Sequence, residues 1–476
     1  MKKLLVGVVV LCLSPLAFAS GVYVAPTYAA APVGKSVFDG FYLGIGPSLV
    51  ATTGKAKTDF DSSPLKYTVF GYPGTEELPL SDYKFGVSGF GGYGITFYQN
   101  YYLGGELFAN YSPVKTFGAE WNFTDGRHWY ATQVKSDYTL GAALRIGYLL
   151  SQKSMIYALV GGDYTSFKVK SIDSTMTANR LIGVSPSLTK HVIGFIPGIG
   201  METMLTKNWA LRGQYTYSLH QSFSDTYTGL RKDLETIIHA KTKYDLNRST
   251  FNLAAVYHFN PQGTQNTMLP LSSNPGEFLN RFYLGLGPEL TAVTGETKQV
   301  APDVERLYKG ISSFYPGITG VGGYGIGYQK WYMGGELFAD YSPVKSEVKL
   351  DGGNIHISGS KIESDYNLGA ALRGGYLFSP KSLVYVLMGA DFTQFKLRTT
   401  KTNWADPNVY IETPQATKNV VGFMPGIGFE SMINHNLSAR IQYAYFLYPT
   451  LKDQGTKYEV ARSRLTALLT YYFNFT

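Results

Sequence analysis

Tyr101-Tyr102-Leu103-Gly104-Gly105-Glu106-Leu107-Phe108-Ala109-Asn110-Tyr111 decides the fold of this chain. Read two by two, Tyr101, Leu103, Gly105, Leu107, Ala109 and Tyr111 share one face, and Tyr102, Gly104, Glu106, Phe108 and Asn110 share the other. Successive side chains of a strand point to opposite sides, so this period predicts a strand with one apolar face ending in tyrosines and one face of small or polar residues. The next segment repeats it: Tyr138, Leu140, Ala142, Leu144, Ile146, Tyr148 and Leu150 stand against Thr139, Gly141, Ala143, Arg145, Gly147 and Leu149.

Outward from these strands, the chain proves to be written twice. Phe41-Tyr42-Leu43-Gly44-Ile45-Gly46-Pro47 returns as Phe282-Tyr283-Leu284-Gly285-Leu286-Gly287-Pro288, and Gly104-Gly105-Glu106-Leu107-Phe108-Ala109 as Gly334-Gly335-Glu336-Leu337-Phe338-Ala339. Strand-like runs begin near Phe41, Phe85, Tyr101, Tyr138, Met155, His191, Trp209 and Ser249, and again near Phe282, Gly317, Trp331, Tyr366, Leu383, Asn419, Leu437 and Ser463. The connections alternate in length. Gln99-Asn100, Ser151 to Ser154 and Thr206 to Asn208 are tight, whereas Ala51 to Tyr83, Ser112 to Lys135, Val169 to Lys190 and Leu219 to Asn247 are long. Long loops on one rim, tight turns on the other, an even strand count and aromatic strand ends are the pattern of an outer-membrane barrel. Lipid offers no partner to an unpaired amide, so a sheet spans a membrane only by closing on itself. A soluble lipocalin-like barrel would turn its apolar face inward and carry charges, not tyrosines, outside.

The remaining composition agrees. Lys2 and Lys3, the apolar run Leu4 to Leu13 and Ala17-Phe18-Ala19 read as a secretory signal over residues 1–19, followed by an Ala/Pro-rich leader over 20–40. The repeats then occupy 41–260 and 282–476, joined by a linker over 261–281 with Pro261, Pro270 and Pro275. The single cysteine, Cys12, falls inside the signal, so disulfides and thiolate chemistry are excluded from the mature chain. Beyond the signal no stretch has the 18 apolar residues of a membrane helix. The net charge of +8 falls by two with loss of Lys2 and Lys3, a mild excess spread along the chain that points away from nucleic acid as a partner.

Gly200-Met201-Glu202-Thr203-Met204-Leu205-Thr206-Lys207-Asn208-Trp209-Ala210-Leu211-Arg212-Gly213-Gln214-Tyr215, with its echo Gly428-Phe429-Glu430 through Leu437-Ser438-Ala439-Arg440-Ile441-Gln442-Tyr443, resembles the sixth and seventh strands of the outer-membrane-protein-A and opacity-type eight-stranded barrels. The resemblance covers both repeats and implies architecture more than function, because such barrels include structural proteins, adhesins, resistance factors and narrow pores. This chain departs from the family in being duplicated, and its final residues read as strand, so the wall anchoring of outer-membrane protein A is not expected here. The alternation through Leu469 to Tyr471, Phe473 and Phe475 resembles the signal read by the barrel-assembly machinery.

The expected fold is therefore all-β: two tandem eight-stranded antiparallel transmembrane barrels, with one sixteen-stranded barrel as the alternative. Eight strands leave room for side chains only, whereas sixteen leave an aqueous channel. The small inward residues Gly44, Gly46, Ser48, Gly92, Gly94 and Gly141 suit a narrow interior. Each repeat also carries inward charges of both signs, Glu106, Arg145, Asp163, Glu202 and Arg212, matched by Glu336, Arg373, Asp391, Glu430 and Arg440. Buried charges persist when paired, so each set is expected to form its own luminal network, structural or gating. No catalytic, cofactor or metal constellation recurs. None of the seven histidines has a histidine counterpart, His220 matching Tyr448 and His258 matching Tyr472, and they read as single rim or loop residues. The expected role is structural or surface interaction, opacity- or adhesin-like, with little or no pore activity. A general diffusion porin is second and an outer-membrane lipid-modifying enzyme third. Expected partners are outer-membrane lipid and lipopolysaccharide, the assembly machinery, and an extracellular ligand held by the long loops.

Overall fold

The computed structural model describes residues 36–61, 75–98, 100–123, 128–130, 132–170, 173–174, 187–231, 236–259, 261, 276, 279–301, 304–352, 355–379, 381–398, 400–402, 410–412 and 414–473. The expected signal sequence, most of the expected leader and linker, and Phe475 lie outside them.

Eight strands of the first repeat each pair antiparallel with the next in sequence: β1 (Gly40–Asp61), β2 (Thr75–Phe97), β3 (Tyr101–Phe117), β4 (Gln133–Ser151), β5 (Ser154–Lys170), β6 (Leu188–Met204), β7 (Trp209–His220) and β8 (Thr236–His258). The last pairs with the first, Tyr42 opposite His258 and Asp61 opposite His239, so the sheet closes. The second repeat does the same with β9 (Phe282–Ala301), β10 (Val304–Tyr328), β11 (Trp331–Gly352), β12 (Ile355–Ser379), β13 (Ser382–Arg398), β14 (Ala416–Met432), β15 (Leu437–Leu447) and β16 (Thr456–Tyr472). Tyr283 opposite Tyr472 closes the ring. There are two eight-stranded barrels, and the sixteen-stranded alternative is set aside because each repeat satisfies its own edges.

The outward faces are apolar. Phe41, Leu43 and Ile45 on β1, Leu103, Leu107 and Tyr111 on β3, and Leu140, Leu144 and Ile146 on β4 are all exposed, as are Leu284, Leu286, Leu337, Leu368 and Leu372 in the second barrel. The upper edge of this belt carries a repeated device. Tyr111-Ser112-Pro113-Val114 and Tyr341-Ser342-Pro343-Val344 each shift the register against the next strand. Proline cannot donate to the ladder, and a bulge is where a strand tolerates it. At the other rim the turns are tight, and Tyr98 (φ 45°) and its counterpart Gln329 (φ 53°) take the left-handed conformation needed to reverse the chain.

The strands outrun the expected runs. β1 has 22 residues and β12 has 25, against the roughly 10 a tilted spanning strand needs. Much of what reads in the sequence as long loop, such as Lys55 to Asp59 and Thr75 to Asp82, is strand that continues past the belt. There, neither face meets lipid. The ladder continues without the apolar alternation that betrays a strand in sequence.

Alternation also fails within the belt on one side of each barrel. β3 alternates exposed and buried along its length, but β7 and β15 are buried on both faces. The outward residues Met201, Tyr215, Tyr217 and Phe251 pack against Phe429, Ile441, Tyr443 and Leu465 in one apolar cluster, and Phe251 stacks on Tyr443 with ring centroids 4.4 Å apart. The barrels thus lie side by side along a seam. Beyond the belt the seam continues as backbone pairing, Thr75–Glu77 with Lys349–Asp351 and Ala119–Phe123 with Val304–Lys309.

Candidate functional site: the luminal charge clusters

Inward positions of β3, β4, β6 and β7 bring Glu106, Arg145, Glu202 and Arg212 to one level of the first lumen. Arg212 spans both acids, Nη1 at 2.5 Å from Glu106 Oε2 and Nε at 2.8 Å from Glu202 Oε2. Arg145 closes the ring at 2.9 Å from Glu202 and 3.8 Å from Glu106. All four side chains are fully buried. Two acids and two arginines cancel, which is the condition for keeping such groups away from water.

Aromatic residues line the ring. The Tyr42 hydroxyl donates to Glu106 at 3.0 Å, and the Tyr157 hydroxyl donates to Gln214 at 2.7 Å. The Arg145 guanidinium lies 3.9 Å from the Tyr157 ring centroid and that of Arg212 4.1 Å from Phe90, a cation–π arrangement that offsets part of the lost hydration. The inward glycines make this possible: a Cβ on Gly94 would collide with the Tyr102 ring, and one on Gly200 with Tyr157. Small residues on the inner face are thus the space that tyrosines on neighbouring strands occupy.

The second barrel rebuilds the ring with altered wiring. Arg373 binds Glu430 at 2.6 Å and approaches Glu336 at 3.7 Å. Arg440 directs Nη2 to both oxygens of Glu336, at 2.8 and 2.6 Å, and its Nε to the Tyr385 hydroxyl at 2.6 Å. It does not reach Glu430, whose Oε1 instead accepts from Ser438 at 2.7 Å and Tyr472 at 2.6 Å. In the first barrel Ala210 stands where Ser438 does, and His258 Nε2 meets Glu202 Oε1 at 2.6 Å where Tyr472 meets Glu430.

Asp163 and Asp391 do not join the rings, contrary to the grouping expected from sequence. They sit in a second layer nearer the long-loop rim, because the inward positions of β5 and β13 that carry them lie above the ring level. Asp163 lies 3.4 Å from His220 Nε2, and Thr165 links His220 to Thr139 at 3.2 and 2.9 Å. Asp391 accepts from Thr393 at 2.5 Å and Tyr448 at 2.7 Å. His220 and His258 are therefore buried luminal residues, correcting their reading as rim or loop histidines. Their strands are inward-facing at those positions, which a loop assignment overlooks. His191 is exposed on the outer face, stacked on Tyr164 at 5.2 Å.

The second layer also holds charges that the sequence reading missed. Arg248 donates to Thr139 at 2.9 Å and Asn110 at 3.4 Å. In the second barrel Arg464 pairs with Asp340, Arg462 lies 3.8 Å from Asp340, and Glu289 accepts from Thr319 and, at 3.2 Å, Thr291. Arg248 and Arg462 occupy equivalent positions, so their recurrence was a usable signal. Of the expected assembly residues, Tyr471 faces outward, and the Phe473 amide donates to Phe282 O at 2.9 Å beside it.

Comparison with known proteins adds the lineage. The family model for the outer membrane protein β-barrel domain matches residues 11–259 and again 267–473. The chain belongs to that family. Its two family domains correspond to the two closed barrels, and the family places them in the outer membrane. No curated protein matches. Among solved structures, the Pseudomonas putida toluene transporter TodX is 11% identical over 92% of this chain and 90% of its own, with a TM-score of 0.26. A Pseudomonas aeruginosa FadL homologue is 13% identical over 92% and 91%, with a TM-score of 0.29. The attachment invasion locus protein Ail of Yersinia pestis is 15% identical over 45% of this chain and 99% of its own, with a TM-score of 0.22. At these scores no cargo or receptor is transferred to this chain.

Proposed function

We propose that this protein serves the outer membrane as a structural and surface-interaction element, opacity- or adhesin-like, with little or no conductance. The observation that supports this is the pair of neutral, fully buried rings, each crossed by two arginines, two glutamates and the tyrosines around them. Their role is to fill and rigidify the lumen, and the long-loop side carries whatever external ligand the protein engages, since binding residues concentrate on loops held by a rigid scaffold. Outer-membrane lipid and lipopolysaccharide surround the belt, and the assembly machinery reads the C-terminal aromatics. We assign no catalytic step to either barrel. Refolded protein in a planar bilayer is expected to give a quiet baseline. Large, stable steps typical of a diffusion porin would sink this reading, and a changed lipid A acylation pattern in a deletion strain would point to the enzyme instead.

A further inference from the structure

The seam contacts come in exchanged pairs. Tyr217 of β7 stacks on Phe314 of β10 with centroids 4.0 Å apart, and Tyr83 of β2 stacks on Tyr445 of β15 at 4.4 Å. Tyr217 and Tyr445 hold the same position in the two repeats, as do Tyr83 and Phe314, so the second contact is the first with the repeats interchanged. The hydrogen bonds obey the same rule. Gly54 N donates to Ser312 Oγ at 2.9 Å, and Gly295 N donates to Ser81 Oγ at 3.3 Å. Between these pairs, equivalent residues meet each other: Ser154 Oγ is 2.5 Å from Ser382 Oγ, and the rings of Tyr215 and Tyr443 are 6.5 Å apart. Residue i touching j while the counterpart of j touches the counterpart of i is the signature of an isologous, two-fold interface.

We propose that the seam is a homodimer interface built into a single chain: each repeat carries a self-complementary face, and the partner that face fits is a second copy of the repeat. A tether alone would hold two barrels near each other at high effective concentration, but it imposes no two-fold register on their contacts. The functional consequence is a bivalent surface, two related sets of external strands and loops on one base, pointing the same way.

The test uses the full chain with a protease site in the connection between the barrels, cut after assembly. In mild detergent the halves are expected to co-elute one to one, each still heat-modifiable; separation on cutting overturns the proposal. Because the sequence holds one cysteine, Cys12, which precedes both barrels, two double variants then read the symmetry, Tyr217→Cys with Phe314→Cys and Tyr83→Cys with Tyr445→Cys. Both should return the cut halves to full-length mass under oxidation, reversibly, while Leu144→Cys with Leu372→Cys on the lipid faces should not. Linkage of only one seam pair rules out the two-fold arrangement. Gly213→Trp, which drives into the Phe429 ring, should lower the co-eluting fraction at least tenfold, and unchanged co-elution counts against this face. Finally, when two differently tagged preparations are cut and mixed, first halves should capture first halves. Failure to do so refutes self-complementarity, and this assay on unsubstituted residues stands even if a variant misfolds.

Discussion

The two lumens differ where they can afford to. At ring level all four charges are kept, Glu106, Arg145, Glu202 and Arg212 recurring as Glu336, Arg373, Glu430 and Arg440. One layer up, Ser48, Asn110 and Thr250 are replaced by Glu289, Asp340 and Arg464. The ring is a mutual arrangement in which losing any one member leaves a partner charged, buried and unanswered. Beside Asp163 and Arg248, the upper layer of the first barrel is a chain of hydroxyl and amide hydrogen bonds. Neutral links change singly without that penalty, so this is where the repeats have drifted.

The sharpest way to break this comparison is to remove the equivalent acid from each ring. Glu202→Gln takes a carboxylate from both arginines, leaving Arg212 with Glu106 alone and Arg145 without a close partner, and should cost about 3–5 kcal/mol, the usual penalty for opening a buried ion pair. Glu430→Gln strands only Arg373, since Arg440 is held by Glu336, and should cost less, roughly 1.5–3 kcal/mol, the worth of one hydrogen bond to a charged group. Urea titrations scored by heat-modifiability would measure both. Equal losses would show that the wiring difference has no energetic meaning.

The outer faces should show no such asymmetry. Leu144→Arg and Leu372→Arg both place a charge on an exposed belt position and should each cost about 2–4 kcal/mol if near the midplane. Folding yields into lipid vesicles that leave either variant unaffected would mean the inner and outer faces are misassigned. The smallest effect is expected from exchanging the ring's outer contacts. His258→Tyr and Tyr472→His each swap one hydrogen-bonding group for the one its counterpart already uses, so a change of about 1 kcal/mol or less is expected. A larger loss, measured by the same titration, would reveal that ring and neighbour have adapted to each other.

Much of this fold was legible because lipid enforces it. Outward Tyr101, Leu103, Leu107, Ala109 and Tyr111 alternate with a face that holds Gly104, Glu106 and Asn110 between Tyr102 and Phe108, which marks a strand with one face to lipid. The small inward residues pointed to a narrow bore. The internal repeat made the ring visible, since charges recurring on inward positions have to find partners. What escaped followed from the same physics. Asp163 was grouped with the ring because inward direction is written in the sequence and height along the barrel is not. His220 passed for a loop residue because it lies at the long-loop end of its strand, and His258 for a rim residue because it lies at the very end of its strand, although both side chains point inward. The seam was hidden because Tyr215, Tyr217 and Phe251 are apolar and outward whether they meet lipid or another protein surface.

The excess strand length has a consequence for reach. At about 3.3 Å per residue and a tilt near 45°, the 25 residues of β12 rise roughly 55–60 Å, of which the lipid-facing band takes about 25 Å. Some 30 Å of hydrogen-bonded sheet is left standing clear of the bilayer by that estimate. The tips are therefore carried on a stiff pedestal of paired strands. A molecule arriving from outside meets them before it meets the membrane.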